Sequence, residues 1–182
     1  MKIRTSTFAL PDGREVLLRS PTPEDAAQMI AYLKRTCAET HFLSREPEEC
    51  NFTLDDERLV LRVQLQAERE FMLTAELDGR IIGNCGVNIR QNGMRMQHRA
   101  GIGIAVEKAF WGLGLGRALF SRALKQAEDN GFSQIELGLF ADNTRARLFY
   151  EAFGFQEMGR IPNAFRLKDG SFCDEIQMVK IL

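Results

Sequence analysis

The residues with the clearest chemical potential form a glycine-rich run, FWGLGLGR, from Phe110 to Arg117. Three glycines at alternate positions let the backbone bend so that several N–H groups point at one spot. The run lies between a predicted strand and a predicted helix, and a helix N-terminus adds roughly half a positive charge. A glycine-rich turn without a ligand has the same letters, so the surrounding sequence must decide. The candidate anion-binding residues are Trp111, Gly112, Leu113, Gly114, Leu115, Gly116 and Arg117.

Two common phosphate-binding motifs do not fit this run. A nucleoside-triphosphate P-loop ends in Gly-Lys-Ser/Thr, whereas this run ends in Gly116-Arg117-Ala118 and lacks both the lysine and the magnesium-binding hydroxyl. A dinucleotide fingerprint needs Gly-x-Gly-x-x-Gly/Ala. Its last position is Arg117 when counted from Gly112, and Leu119 when counted from Gly114. Nucleotide hydrolysis and nicotinamide or flavin chemistry are therefore disfavoured.

A second group of candidate residues lies in the segment DNTRARLFYEAFGF, at positions 142–155. Asn143, Ala146, Arg147 and Tyr150 follow the spacing that places residues on one side of a helix. Asn143 and Tyr150 can then reach the same ligand. Taken singly, Asn143 is equally consistent with a plain helix N-cap, and Tyr150 with a core tyrosine whose hydroxyl binds backbone.

These segments belong to a predicted series of alternating strands and helices. The patterns predict a hairpin over 6–20, helices from Thr22 and over 53–69, a hairpin over 71–89, a polar loop over 91–97, a strand over 98–106, a helix over 114–130, a strand over 133–140, a helix over 143–153, and two C-terminal strands turning at 168–170. In the second helix, Leu59 and Val63, together with Leu65, are expected to face the core.

The strand predicted over 98–106 is unusual because one of its faces carries almost no side-chain bulk. Gly101, Gly103 and Ala105 alternate with larger apolar residues that point to the other face. A glycine within a strand often marks a place where a ligand or another backbone approaches closely. We therefore expect a close approach to this strand.

Length and composition exclude several classes of protein. At 182 residues the chain fits one domain, over 1–182. With 24 basic and 25 acidic residues the net charge is −1, so nucleic acid is not an expected partner. Apolar runs fall short of the roughly 20 residues of a membrane span, and no secretory signal is visible, so we expect a cytoplasmic protein without a membrane partner. The cysteines, Cys37, Cys50, Cys85 and Cys173, lack zinc-binding spacing; we expect reduced thiols in or near the core and no metal.

The two motifs together resemble the GCN5-related N-acetyltransferase (GNAT) family. Its acyl-CoA loop reads Gln/Arg-x-x-Gly-x-Gly/Ala, and its downstream signature reads Asn-x-x-Ala-x-x-x-Tyr-x-x-x-Gly-Phe. Gly114 and Gly116 hold the two glycine positions, whereas Trp111 stands where Gln or Arg is commonest. The resemblance covers about residues 70–160. It implies an α/β (α+β) GNAT fold, with a mixed, mostly antiparallel sheet of about six to seven strands, about four flanking helices, and two central parallel strands that splay apart.

The resemblance also implies an enzyme that transfers an acetyl group from acetyl-CoA to a primary amine by direct attack on the thioester. Val106 would donate its N–H to the developing oxyanion, and Tyr150 would face the departing sulfur. The pantetheine arm would pair with the 98–106 strand like an added strand. The implied cofactor-binding residues are Ile104, Val106, Trp111, Gly112, Leu113, Gly114, Leu115, Gly116, Arg117, Asn143, Ala146, Arg147 and Tyr150.

The catalytic base is left open by the sequence. His98 is one candidate, because the segment around it resembles a subgroup that acts on small amines or amino acids; Glu136, Glu76 and ordered water are the alternatives. Basic residues on the predicted helices either pair with the CoA phosphates or form solvated faces. They are Arg117, Arg122, Lys125, Arg145 and Arg147.

The acceptor is expected to be a small-molecule amine. A protein acetyltransferase that acts on N-termini or lysines, as in a ribosomal-protein-type subgroup, is the nearest alternative. A non-catalytic acyl-CoA-binding module is a third. The C-terminal segment from Gly159 to Met178 resembles a closing hairpin that contributes either to the acceptor pocket or to a homodimer face.

Overall fold

The computed structural model describes residues 1–90 and 93–182, so Gln91 and Asn92 of the predicted polar loop lie outside the described residues. The strands are β1 (Ser6–Ala9), β2 (Glu15–Arg19), β3 (Phe71–Leu77), β4 (Arg80–Ile89), β5 (Arg99–Val106), β6 (Gln134–Phe140), β7 (Gln156–Arg166) and β8 (Phe172–Ile181). They form one sheet in the order β1-β2-β3-β4-β5-β6-β8-β7. Among these described strands, β5 and β6 are the one parallel pair of neighbours. The mixed, mostly antiparallel sheet is confirmed, with eight strands rather than six or seven.

Four α-helices lie within residues 1–90 and 93–182, and two of them begin at a capping side chain. They are α1 (Ala26–Glu39), α2 (Leu54–Gln66), α3 (Leu115–Asp129) and α4 (Thr144–Glu151), and a short 3-10 turn over Pro23–Asp25 leads from Thr22 into α1. The Thr53 hydroxyl accepts the Asp56 N–H at 3.1 Å, and the Asn143 side chain accepts the Ala146 N–H at 3.1 Å. No helix in the described part of the chain has the length and apolarity needed to span a membrane.

The prediction of which residues of α2 face the core is wrong for Leu59 and Val63. Leu59 is 58% exposed and Val63 is 55% exposed, whereas Leu61 is fully buried. Apolar residues occupy more than one side of this helix, so periodicity alone did not fix its rotation. The helix packs through Leu61 into a cluster with Met29 and Tyr32 of α1, and this contact turns the other apolar residues toward solvent. Leu65 is partly buried.

Two hydrophobic clusters lie on opposite faces of the sheet. The larger one joins α3 to the sheet and includes Leu119 and Phe120 together with Ile102 of β5. The smaller one joins α1 and α2 to the other face, where Ala105 of β5 packs against it. Consecutive residues of β5 therefore point to different helical layers. The cysteines are free thiols; Cys37, Cys50 and Cys85 are buried and Cys173 is partly buried.

Candidate active site

The parallel strands β5 and β6 pair over only a short stretch. Their register runs from Arg99 opposite Gln134 to Gly101 opposite Glu136. Beyond that point, β5 still pairs with β4 as far as Val106, and β6 still pairs with β8 as far as Phe140. Each strand thus keeps its outer partner while the facing edges separate. The predicted splay is confirmed, and it opens a wedge between the two strands.

Backbone groups of β5 point into this wedge. The Glu107 N–H donates to the Ile82 carbonyl at 2.9 Å, which makes Gly83 and Val106 a non-hydrogen-bonded pair. The N–H and C=O of Val106 therefore point away from β4, toward the wedge. Because the pattern repeats every second residue, the N–H of Ile104 points the same way. The indole N–H of Trp111 donates to the Val106 carbonyl at 2.6 Å. The backbone N–H groups of Ile104 and Val106 face the open edge of β5.

The glycine-rich run forms an exposed loop that leads into α3. Gly112 has φ +79° and Gly114 has φ +84°, a conformation that residues with a Cβ rarely adopt. Gly114 is the N-cap of α3, and a Cβ there would come 3.3 Å from the Phe8 ring. Within the described residues, the N–H groups from Gly112 to Arg117 make no hydrogen bond. They are available to an anion at the helix N-terminus.

The second motif meets this loop. The Arg145 guanidinium of α4 lies 4.2 Å from the centre of the Trp111 ring, and the Arg117 guanidinium lies 5.3 Å from the centre of the Phe153 ring. Two cations therefore stand beside the loop. Asn143 follows the open end of β6 and caps α4, so the first turn of α4 lies beside the glycine-rich loop. Ala146 of this helix is partly buried.

The other predicted basic residues are engaged elsewhere. Arg147 pairs with Glu151 at 2.9 Å and with Glu157 at 3.2 Å. The hydrogen bond to Glu151 is the main cause that raises the pKa of Arg147. Arg122 donates to a backbone carbonyl near the N-terminus, and Lys125 pairs with acidic residues of its own helix. Of the five, Arg117 and Arg145 are the ones that the structure places at the loop.

Tyr150 lies on the α3 side of the wedge. Its ring centre is 5.4 Å from that of Phe120 and 5.9 Å from that of Phe155. Burial raises the pKa of Tyr150, and the nearby Cys85 thiol raises it further. Cys85 is the β4 partner of Ile104, so the hydroxyl lies near the strand whose N–H groups face the wedge. The hydroxyl makes no hydrogen bond to any other described residue, unlike a structural core tyrosine.

The structure does not bring His98 to Tyr150 or Val106. His98 is exposed just before β5, and its carbonyl accepts the N–H groups of Ser133 and Gln134 at 3.0 and 3.2 Å. It stands at the closed end of the wedge. Ile104 is six residues further along an extended strand, a distance of about 20 Å. The position of His98 does not support a role as base.

The two glutamates considered as alternative bases are held in ion pairs. Glu136 accepts from Arg99 at 2.8 Å and from Gln134 at 2.9 Å, and lies 3.4 Å from Arg90. The hydrogen bond from Arg99 is the largest influence on the pKa of Glu136 and outweighs burial, so this pKa is lowered. Glu76 accepts from Arg19 at 2.6 Å. The lowered pKa makes the Glu136 carboxylate a weaker base, and the side chain of Glu76 is occupied by its ion pair with Arg19.

A cavity of about 290 Å³ lies where the wedge begins to open. Its lining includes Gly101 and Gly103 of β5, Glu136 and Gly138 of β6, and Arg90 after β4. Glu175 of β8, which belongs to the C-terminal segment expected at the acceptor pocket or at a dimer face but was not itself predicted as a site residue, lies over Gly138. A strand pairing between β6 and β8 brings it there, and such a long-range pairing leaves no local signal in the sequence.

Comparison with protein families gives a match over residues 29–155 to a model described as the acetyltransferase (GNAT) family. One similar curated protein is the L-amino acid N-acetyltransferase AaaT of Escherichia coli K12, which is 29% identical over 111 residues, 60% of this chain and 67% of that protein. Mycothiol acetyltransferase of Paenarthrobacter aurescens is 28% identical over 162 residues, 85% of this chain but 48% of the relative. The chain thus spans about half of the latter protein.

Solved structures share the arrangement of strands and helices. A GNAT-family acetyltransferase from Streptococcus pneumoniae superposes with a TM-score of 0.87 at 28% identity, covering 92% of this chain and 99% of that one. The ribosomal-protein-alanine N-acetyltransferase of Brucella melitensis gives a TM-score of 0.79 at 21% identity, covering 91% and 99%. At that identity the second likeness concerns the fold alone.

Proposed function

This chain belongs to the GNAT family of acetyl-CoA-dependent N-acetyltransferases, and we propose that its acceptor is the primary amine of a small molecule, which attacks the thioester directly. One observation carries the proposal. The N–H groups of Ile104 and Val106 face an open wedge that leads to the uncommitted N–H groups of the glycine-rich loop. A long ligand with an anion at one end and amide groups along its arm fits that arrangement.

The glycine-rich loop binds the diphosphate of acetyl-CoA through its backbone N–H groups. Arg117 and Arg145, at its rim, add positive charge. The pantetheine arm lies between β5 and β6 and pairs with Ile104 and Val106 as an added strand does. The first two turns of α4, with Asn143, Ala146, Arg147 and Tyr150, border the same ligand from the other side.

The acetyl group is transferred in one displacement. The acceptor nitrogen forms a bond to the carbonyl carbon, and the carbon–sulfur bond breaks. Val106 donates its N–H to the oxygen that becomes negative, a contribution of about 3 to 4 kcal/mol for a donor of this type. Tyr150 donates to the departing sulfur. Because burial raises the pKa of Tyr150 further above that of a thiol, stabilising the thiolate by a hydrogen bond matters as much as full proton transfer.

The acceptor class is tested by measuring free-thiol release from acetyl-CoA. The panel contains pooled L-amino acids, spermidine, kanamycin and peptides with free N-termini or lysines, with a reaction lacking amine as control. We expect amine-dependent release with at least one small molecule and no preference for peptides. Release with peptides alone supports a protein acetyltransferase instead. Binding of CoA without release for any amine identifies a non-catalytic module.

A further inference from the structure

Two glycines face each other across the wedge. Continuing the register by two residues beyond Gly101 and Glu136 brings Gly103 of β5 opposite Gly138 of β6. Both are exposed, and a Cβ on Gly103 would meet no atom within 4 Å. Their neighbours Ile102 and Leu137 are buried in the α3 cluster, so the two glycines lie toward the α1 side. The wedge therefore has a gap without side chains at this point.

One carboxylate stands over this gap. Glu175 lies on β8, where it pairs with Phe140 of β6, and its side chain leans back over Gly138. A Cβ added to Gly138 would lie 2.8 Å from the Glu175 carboxyl carbon and would collide with one of its oxygens. The Glu175 carboxylate can occupy this space because residue 138 is a glycine.

The Glu175 carboxylate is not committed to a structural partner. It makes no hydrogen bond or ion pair with another residue in the described ranges 1–90 and 93–182. Its neighbour Asp174, in contrast, accepts from Arg160 at 2.7 Å and from the Asn163 N–H at 2.8 Å. Glu136, on the same face of β6, is held by Arg99 and Arg90. Farther out, His41 lies 3.4 Å from Asp142. Among these charged groups, Glu175 is the carboxylate that is positioned to accept a proton at the gap.

From this geometry we infer that Glu175 is the general base of the reaction, and this inference rests on the proposed function. An acceptor ammonium loses two protons when it becomes an amide. The Glu175 carboxylate takes the first and passes it to solvent, which frees the lone pair that forms the new nitrogen–carbon bond. The second leaves the nitrogen for solvent as the carbon–sulfur bond breaks. Tyr150 donates a proton to the departing sulfur and regains one from solvent, so CoA leaves as the thiol and one proton is released per turnover.

Glu175 and Tyr150 lie on opposite sides of the wedge, as separate roles of base and acid require. Glu175 lies over Gly138 on the α1 side of the sheet, whereas Tyr150 packs with Phe120 on the α3 side. The incoming nitrogen and the departing sulfur share one carbonyl carbon, so an acid and a base on opposite sides of the wedge serve them separately. A base at the closed end, where His98 stands, does not provide this arrangement.

The decisive experiment compares Glu175→Gln with the wild-type enzyme in the thiol-release assay from pH 6 to pH 9. The acceptors are pooled L-amino acids, spermidine and kanamycin, and hydroxylamine serves as an amine that is already neutral at pH 7. We expect kcat/KM for the ammonium acceptors to fall roughly 10² to 10⁴-fold at pH 7 and to recover as pH rises. The rate with hydroxylamine and the Kd of acetyl-CoA stay near the wild-type values.

A second variant moves the carboxylate without removing it. Gly138→Ala places a methyl group where the Glu175 carboxylate lies, so it also lowers kcat/KM although Glu175 is present. Glu128→Gln, an exposed change on α3, is the matched control and leaves the rates unchanged. A Glu175→Gln profile that matches the wild type, or an equal loss toward hydroxylamine, overturns the inference. Wild-type protein that releases no thiol with any acceptor contradicts the proposed function itself, and the inference with it.

Discussion

The Arg145 guanidinium stacks on the Trp111 indole, 4.2 Å from the ring centre. This contact joins the N-terminus of α4 to the loop before α3. The same indole donates to the Val106 carbonyl at the end of β5. Trp111 therefore connects the two sequence motifs with the strand that faces the wedge. Its position is the one where the family motif more often has Gln or Arg.

Trp111→Ala should weaken the binding of CoA. The variant loses a cation–π contact worth about 0.5 to 2 kcal/mol and a hydrogen bond worth about 0.5 to 1.5 kcal/mol. We expect a Kd roughly 10-fold to 100-fold higher by calorimetry. Trp111→Phe keeps an aromatic ring and loses the N–H donor, so its Kd for CoA should lie between those of the wild type and Trp111→Ala. Equal Kd values for wild type and Trp111→Ala would show that the loop is organised without the indole.

Tyr150→Phe should lower kcat by roughly 10²-fold or more and leave the Kd of acetyl-CoA unchanged, because only the contact with sulfur is removed. Tyr32→Phe is a matched control. The Tyr32 hydroxyl donates to the Ala105 carbonyl at 2.7 Å in the core, so this variant should lose about 1 kcal/mol of stability and keep its kcat. Steady-state kinetics that give Tyr150→Phe the wild-type kcat contradict its role.

Leu61→Ala and Leu59→Ala should differ sharply in stability. Leu61 is fully buried between α1 and α2, whereas Leu59 is 58% exposed. The first variant should lose about 2 to 5 kcal/mol of unfolding free energy, and the second less than about 0.5 kcal/mol. Urea denaturation measures both. Similar losses would mean that α2 packs with a different face.

The ion pair of Glu136 should make stability depend on pH. Arg99 holds the pKa of Glu136 below its usual value in the folded protein. The contribution of this ion pair to the free energy of unfolding is therefore fully present above the ordinary glutamate pKa of about 4.3. It is lost as the pH falls through the pKa that Glu136 has in the folded protein. Glu136→Gln should be less stable than wild type at pH 7, and the difference should shrink on acidification to pH 3. A difference in urea midpoint that stays constant over this range would exclude the ion pair as its source.

Local chemistry made much of the fold predictable. Thr53 and Asn143 cap helices because their side chains accept N–H groups that lack helical partners. Gly131 follows α3 with φ +79°, a left-handed conformation that glycine adopts readily and that ends many helices. The glycine-rich loop and the splayed strands followed from resemblance to a family. These features depend on residues close together in sequence or on a recurring motif.

The features that the sequence did not determine depend on contacts between distant segments. Leu59 and Val63 were expected inward because apolar residues surround much of α2, and only packing against α1 fixes its rotation. His98 directly precedes the strand that ends at Val106, but the sequence does not tell at which end the wedge opens. Glu175 lies in the segment expected at the acceptor pocket or at a dimer face, but only the pairing of β6 with β8 places its side chain over Gly138.

The central claim is that the backbone N–H groups from Gly112 to Arg117 bind the diphosphate of CoA. Isothermal titration of CoA into the wild-type protein and into Gly114→Val tests it most directly. At φ +84° and with the Phe8 ring 3.3 Å from a Cβ, a valine must distort the loop. We predict one CoA bound per chain, with a Kd at least about 10-fold higher for the variant, which corresponds to about 1.4 kcal/mol. No heat of binding with the wild type, or equal Kd values for the two proteins, would contradict the account.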